Sequence, residues 1–228
     1  MRLLNVETLK LETFQSSRYS SDVPKYAILS HTWGENEILF CHIESLNKSQ
    51  LENMKSYSKV RSSCFQARMD GFTHIWIDSC CIERSSSAEL SEAINSMWAW
   101  YRESAVCYVF LADVKKGDEQ ALCKSRWFSR GWTLQELIAP ESVRFFDKDW
   151  QEINNRLDMS PLLSKITGIE QLVLSRHVGK HDPETLMDGP DCVVCGQDMR
   201  LEVIMQDISV ATKMSWSSQR NTTRDEDS

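Results

Sequence analysis

AVCYVFLADV, residues 105–114, is the stretch on which the fold turns. It is apolar almost from end to end, so both of its faces must be covered. A strand of that kind belongs inside a parallel sheet, with helices on either side. Moving outward, two further short apolar runs precede it. YAILS (Tyr26–Ser30) starts after Pro24 and ends in the polar turn His31-Thr32-Trp33-Gly34; HIWID (His74–Asp78) runs into Ser79-Cys80-Cys81-Ile82. Between those two, Val60, Cys64 and Ala67 recur at helical spacing over Ser56–Asp70, and Gly71 supplies a C-terminal stop. Ser86 followed by Glu89 has the form of a capping box. Behind it Leu90, Ile94, Met97, Trp98 and Tyr101 predict an amphipathic helix of about four turns.

Downstream lies SRWFSRGWTLQELIAP, Ser125–Pro140, which reads as a short helix stopped by Pro140. At about 100° per residue, Leu134, Leu137 and Ile138 point one way, while Trp132 and Glu136 share the opposite side. A Trp beside an acid, away from the apolar stripe, suits the wall of a cleft. Packing of Trp132 under a loop, with Glu136 solvated, is the alternative. Val143–Phe146 then gives a fourth strand.

Strands and helices thus alternate, and the expected fold class is α/β, a doubly wound parallel sheet. In such sheets ligands bind at the carboxyl ends of the strands. Ser30, His31, Thr32, Trp33, Asp78, Ser79 and Asp113 fall there, with Glu136 on the following helix. From about Trp150 the pattern weakens. Ser164–Arg176 predicts one helix (Ile169, Leu172, Val173), residues 177–196 a loop, and Leu201–Met214 another helix, before a polar, frayed end. The organisation expected is a leader over 1–24, a domain over 25–150 and a mostly helical C-terminal extension over 151–228.

The 228 residues suffice for one domain with an appendage, and 41% hydrophobic with 26% charged content fits a soluble globular protein. A net charge of −7 argues against nucleic acid or anionic lipid as a partner, and Lys115, Lys116, Arg126 and Arg130 make no basic stripe. No apolar run is long enough to span a bilayer, and MRLLNVETLK lacks the features of a secretory signal. A cytoplasmic protein with reduced thiols is expected for the eight cysteines.

Several side chains are open to two readings. His31 at a strand end could bind a phosphate or a ribose hydroxyl, or could order its turn. Asp78 could bind ligand or cap a helix. Cys80 and Cys81 lack a neighbouring cation before Arg84, which favours packing over nucleophilic chemistry for at least one of them. His177, His181, Cys192 and Cys195 have types and spacings that can hold zinc, although their order is reversed from the common finger and the loop between is acidic. The other reading is a surface loop with free thiols.

YAILSHTWG (26–34), GFTHIWIDSCCIERSSSAELSEAINSMWAWY (71–101) with VCYVFLADV, and SRWFSRGWTLQELIAP (125–140) together resemble the fungal heterokaryon incompatibility (HET) domain family. Glu83 departs from the family's usual Asp. The family usually continues into a further apolar segment after MSWSSQRNTTRDEDS, so a truncated, inactive copy is a third expectation. The resemblance implies vegetative incompatibility: programmed cell death in non-self recognition, a form of innate immunity. It implies a TIR-like, flavodoxin-like fold, homo-oligomers or other cell-death signalling proteins as partners, and no required cofactor. Several TIR domains cleave NAD with a glutamate in a Trp-Cys-x-x-Glu-Leu-like motif. The matching stretch is Trp132-Thr133-Leu134-Gln135-Glu136-Leu137, with Thr133 replacing the Cys. This implies Glu136 alone as the catalytic group and NAD as substrate; the strand-end and helix-face readings add Ser30, His31, Trp33, Asp78 and Trp132 as expected substrate-binding residues. A self-associating module without turnover is the alternative that the same resemblance allows.

Overall fold

The computed structural model describes residues 1–15, 22–175 and 216. In chain order the elements are β1 (Arg2–Asn5), β2 (Leu11–Thr13), β3 (Tyr26–His31), α1 (Phe40–Ser45), α2 (Lys48–Glu52), α3 (Tyr57–Met69), β4 (His74–Ile77), α4 (Asp78–Cys81), α5 (Ser87–Glu103), β5 (Val106–Phe110) and α6 (Glu119–Cys123). A 3₁₀ turn (Arg126–Ser129), α7 (Thr133–Ile138), β6 (Val143–Phe146), β7 (Glu152–Asn155), α8 (Ser160–Thr167) and α9 (Gln171–Leu174) follow.

One seven-stranded sheet runs β2-β1-β4-β3-β5-β6-β7. The four strands expected from their apolar runs form its centre, and β4, β3, β5 and β6 pair in parallel. Every residue of β3, β4 and β5 is buried, as strands covered on both faces require. The sheet is mixed, however, and not parallel throughout. β1 and β2 join antiparallel beside β4, and β7 joins antiparallel beside β6. The physical reason is position. LET in β2 and EINN in β7 lie at the two edges, where polar residues are tolerated and an apolar pattern is not needed. The sheet therefore extends beyond residues 25–150 at both ends.

The connection from β3 to β4 runs one way across the sheet, and that from β4 to β5 returns past β3 to its other side. Right-handed crossovers in opposite directions place α3 and α5 on opposite faces. The contacts agree. Trp76 packs on Trp100 and Tyr101 of α5, with ring centroids 5.5 and 6.0 Å away. Tyr108, which points to the other face, donates its hydroxyl proton to Asp70 at the end of α3.

Local signals mostly carry through. Gly71, at φ +84°, follows α3 as its stop. The Ser86 hydroxyl accepts from Glu89 N, but the Glu89 carboxylate turns to Glu83 N instead of back to Ser86. Only half of the expected capping box forms. The single helix expected over 164–176 is two helices, because Gly168 at φ +71° ends α8 in a left-handed turn. Ile169 and Val173 are buried and Leu172 faces solvent. The expected loop 177–196, helix 201–214 and polar end lie outside the described residues.

Candidate functional site

The carboxyl ends of β3 and β4 open into a cleft of about 310 Å³. The chain adds β4 on one side of β3 and then β5 on the other, and such reversals of strand order are where open α/β sheets hold ligands. Of the residues singled out from sequence, His31, Trp33, Asp78, Trp132 and Glu136 all line this cleft, His31 without exposing its ring. Ser30 does not; it is wholly buried beneath Glu136. Asp113, also expected at the rim, accepts from Ser125 Oγ (2.7 Å) and Arg126 N (2.8 Å), so it ties down the loop before α7.

One wall is apolar. Leu90, Ile94 and Met97 of α5 line the cleft, half-buried, and their helical stripe faces this opening as much as the core. The other side is charged, with Arg84, Arg126 and Arg130 lining it beside Asp78 and Glu136 and each arginine paired to a carboxylate. Such a pairing of flat apolar wall and guanidinium groups suits a ligand with a ring and an anionic group.

Glu136 sits on α7 with Leu137 and Ile138 of the same helix in the core. Its Oε2 accepts from Ser30 Oγ at 2.7 Å and from Arg130 Nη1 at 3.3 Å. The short helix is held at its far end by Arg156. The buried guanidinium donates through Nη1 to Leu137 O (2.9 Å) and Pro140 O (2.8 Å), and through Nη2 to Glu141 O (2.8 Å). A cation over the last carbonyls of a helix satisfies acceptors that have no partner in the helix itself.

Opposite Glu136, the His31 ring is fully buried between two carboxylates. Its Nε2 lies 3.7 Å from Glu37 Oε2 and its Nδ1 lies 3.8 Å from Asp78 Oδ1. Asp78 also accepts from Trp33 Nε1 at 2.7 Å, and the Arg84 guanidinium lies over the Trp33 ring at 4.1 Å. Glu37 Oε1 accepts from Lys59 Nζ (2.5 Å) and Gly34 N (2.6 Å). Burial would raise the Glu37 carboxyl, yet His31 and Lys59 outweigh it and hold the group down at about 2, against an ordinary 4.5.

That shift fixes a pH dependence. The folded value lies below the unfolded one, so Glu37 adds stability that is complete above pH 4.5 and lost as the pH falls towards 2. Glu37→Gln is therefore expected to be less stable than wild type at neutral pH. The gap should narrow steadily in acid, read from urea midpoints across the range. A gap that is constant with pH would remove Glu37 from this role.

Glu37 and Lys59 were not legible as site residues. A signal existed for Lys59: it shares a helical face with Ser63, four residues on, beside the apolar stripe of α3. Both are buried, a lysine where the pattern calls for a side chain that can be covered. Glu37, in the turn GENE, carried none.

Cys80 and Cys81 are both buried, and burial pushes the Cys81 thiol up to about 12 and the Cys80 thiol well above its ordinary value. Neither is a thiolate nucleophile at neutral pH; both pack. Among the described residues no group of three or more His, Cys, Asp or Glu could hold a metal ion. His177, His181, Cys192 and Cys195 lie outside the described residues. No described helix is long and apolar enough to cross a membrane.

Residues 26–122, from β3 through α6, match the family described as "Heterokaryon incompatibility protein (HET)". The chain is also similar to the vegetative incompatibility protein HET-E-1 of Podospora anserina, at 40% identity over 217 residues. Both matches support the HET family. The HET-matched segment carries His31, Trp33, Glu37, Lys59 and Asp78, and Glu136 lies just past its end. The alignment with HET-E-1 covers 91% of this chain and 14% of that protein, so the chain spans a small part of its relative's length. No solved structure matches significantly.

Proposed function

We propose that this chain acts in heterokaryon incompatibility, as a TIR-like domain that cleaves NAD at Glu136 and so triggers cell death. The observation that carries this reading is the convergence of Glu136, Trp132, Trp33 and Arg130 on one cleft at the carboxyl ends of parallel strands. The central parallel order β4-β3-β5-β6, with its reversal at β3, supports the TIR-like, flavodoxin-like assignment. The matches to the HET family and to a vegetative incompatibility protein support the biological role.

In NAD the nicotinamide is already cationic and leaves as a neutral molecule, taking the electron pair of the C1′–N bond. Positive charge then builds on the ribose. The Glu136 carboxylate would stabilise that charge and orient the ribose hydroxyls. A water oxygen bonds to C1′ and releases one proton, giving ADP-ribose. Trp132 offers a flat wall for a ring, and Arg130 and Arg126 lie where phosphate charge would be met. Neither a metal nor a further cofactor is needed. The domain would act in the cytoplasm, as a homo-oligomer or with other cell-death signalling proteins.

Purified chain mixed with NAD is expected to release nicotinamide. Expression in yeast is expected to slow growth as cellular NAD falls. Growth arrest that persists in Glu136→Ala with NAD unchanged would replace catalysis with a self-associating module. Growth unaffected at high expression would leave an inactive chain.

A further inference from the structure

We infer that Trp127 and Ser30 form a one-way hydrogen-bond relay that positions Glu136, leaving one carboxylate oxygen for the ligand in the cleft. The inference rests on the reading of Glu136 above, but its geometry stands by itself. Trp127 and Ser30 are buried at 1% and 0% exposure, so neither can exchange its partner for water. Trp127 Nε1 lies 2.7 Å from Ser30 Oγ, and Ser30 Oγ lies 2.7 Å from Glu136 Oε2.

The direction of this chain is forced. An indole N–H can only donate. The Ser30 oxygen must therefore accept from Trp127, and its single proton is left to point at Glu136. Arg130 Nη1 adds a second donor to the same Oε2 at 3.3 Å. Both donors fall on Oε2, and Oε1 takes no hydrogen bond among the described residues. The carboxylate is thus anchored by one oxygen and presents the other to the cleft that Glu136 lines.

Three separate pieces of chain supply the relay: Ser30 from β3, Trp127 from the 3₁₀ turn and Glu136 from α7. Trp127 is itself wedged edge-on against Phe128 and Phe145, with ring centroids 5.1 and 5.9 Å away. The sheet core therefore fixes the indole, the indole fixes the hydroxyl, and the hydroxyl fixes the acid. Ser30 was expected to touch substrate; the relay makes it a positioning residue instead, and adds Trp127 to the site.

The test reads the relay in two ways on the full chain. First, the Trp127 indole N–H signal is assigned by its loss in Trp127→Phe. It is expected to move in Glu136→Gln, and that response should shrink at least twofold in the Ser30→Ala background, where the connecting hydroxyl is gone. Second, Ser30→Ala is expected to lower kcat for nicotinamide release about tenfold with KM little changed, and Ser30→Thr to restore most of it. If Ser30→Ala does not fold, Ser30→Cys keeps the volume with a weaker donor and should show both effects in reduced form. An indole response equal in the two backgrounds, or an unchanged kcat in folded Ser30→Ala, would overturn the relay. If wild type releases no nicotinamide at all, the NAD reading fails, and the indole measurement decides the relay alone.

Discussion

Glu136→Gln is expected to reduce nicotinamide release from NAD about 10²- to 10³-fold, the loss typical when one electrostatic partner of a developing charge is removed. Glutamine keeps the volume and an acceptor oxygen for Ser30 and Arg130, so the fold should be retained. What disappears is the negative charge, in a side chain that is only 5% exposed and shielded from solvent. Charge on the ribose is absent in bound NAD and present at the moment of cleavage, so the deficit should appear in kcat more than in KM. Thermal unfolding of the variant beside wild type separates lost chemistry from lost structure. A folded Glu136→Gln with wild-type turnover would remove this acid from the reaction, whatever else the cleft does.

Arg156→Met should cost about 3–5 kcal/mol of stability, measured by urea unfolding at neutral pH. The guanidinium is 3% exposed and serves three main-chain carbonyls, those of Leu137, Pro140 and Glu141. Burial lowers its pKa to about 10, still well above neutral, so it is charged in the folded protein. Methionine fills the space and donates nothing, so the buried Leu137 carbonyl loses its donor and those of Pro140 and Glu141 lose one of theirs, at about 1–3 kcal/mol for each buried acceptor left unsatisfied. Arg156→Lys should rescue little, since a single ammonium cannot reproduce the planar fork across three oxygens. Because one of those carbonyls belongs to the residue after Glu136, a surviving variant should also lose turnover. A stability within 1 kcal/mol of wild type would show that α7 is held by other means.

The four central strands and the alternation that orders them were legible, because strands covered on both sides advertise themselves as continuous apolar runs. So was the shared side of Trp132 and Glu136, which needs only helical geometry. The edge strands were not. β1 and β2 came under an expected leader, and β7 has Glu, Asn and Asn in four residues. An edge strand is specified by its neighbour's unpaired backbone more than by its own side chains, as β2 is by β1 and β7 by β6. β1, one place in from the edge, pairs with a strand distant in sequence, Asn5 with His74 for example. The site divides in the same way. His31 and Asp78 follow from strand ends, whereas the Glu37–Lys59 pair and the Trp127–Ser30 contact join residues 22 and 97 positions apart. No local spacing encodes such meetings. Arg156 is the extreme case, a cation in a stretch without pattern that holds the helix of the candidate acid.

The helical stripe of Leu90, Ile94 and Met97 carries a thermodynamic consequence. In the open cleft these side chains keep an ordered hydration layer that a fully packed helix would have shed. A ligand laid against them must release that layer, so its association should show a negative heat-capacity change in calorimetry at several temperatures. A ligand that touched only the arginine rim would leave the layer in place and show almost none.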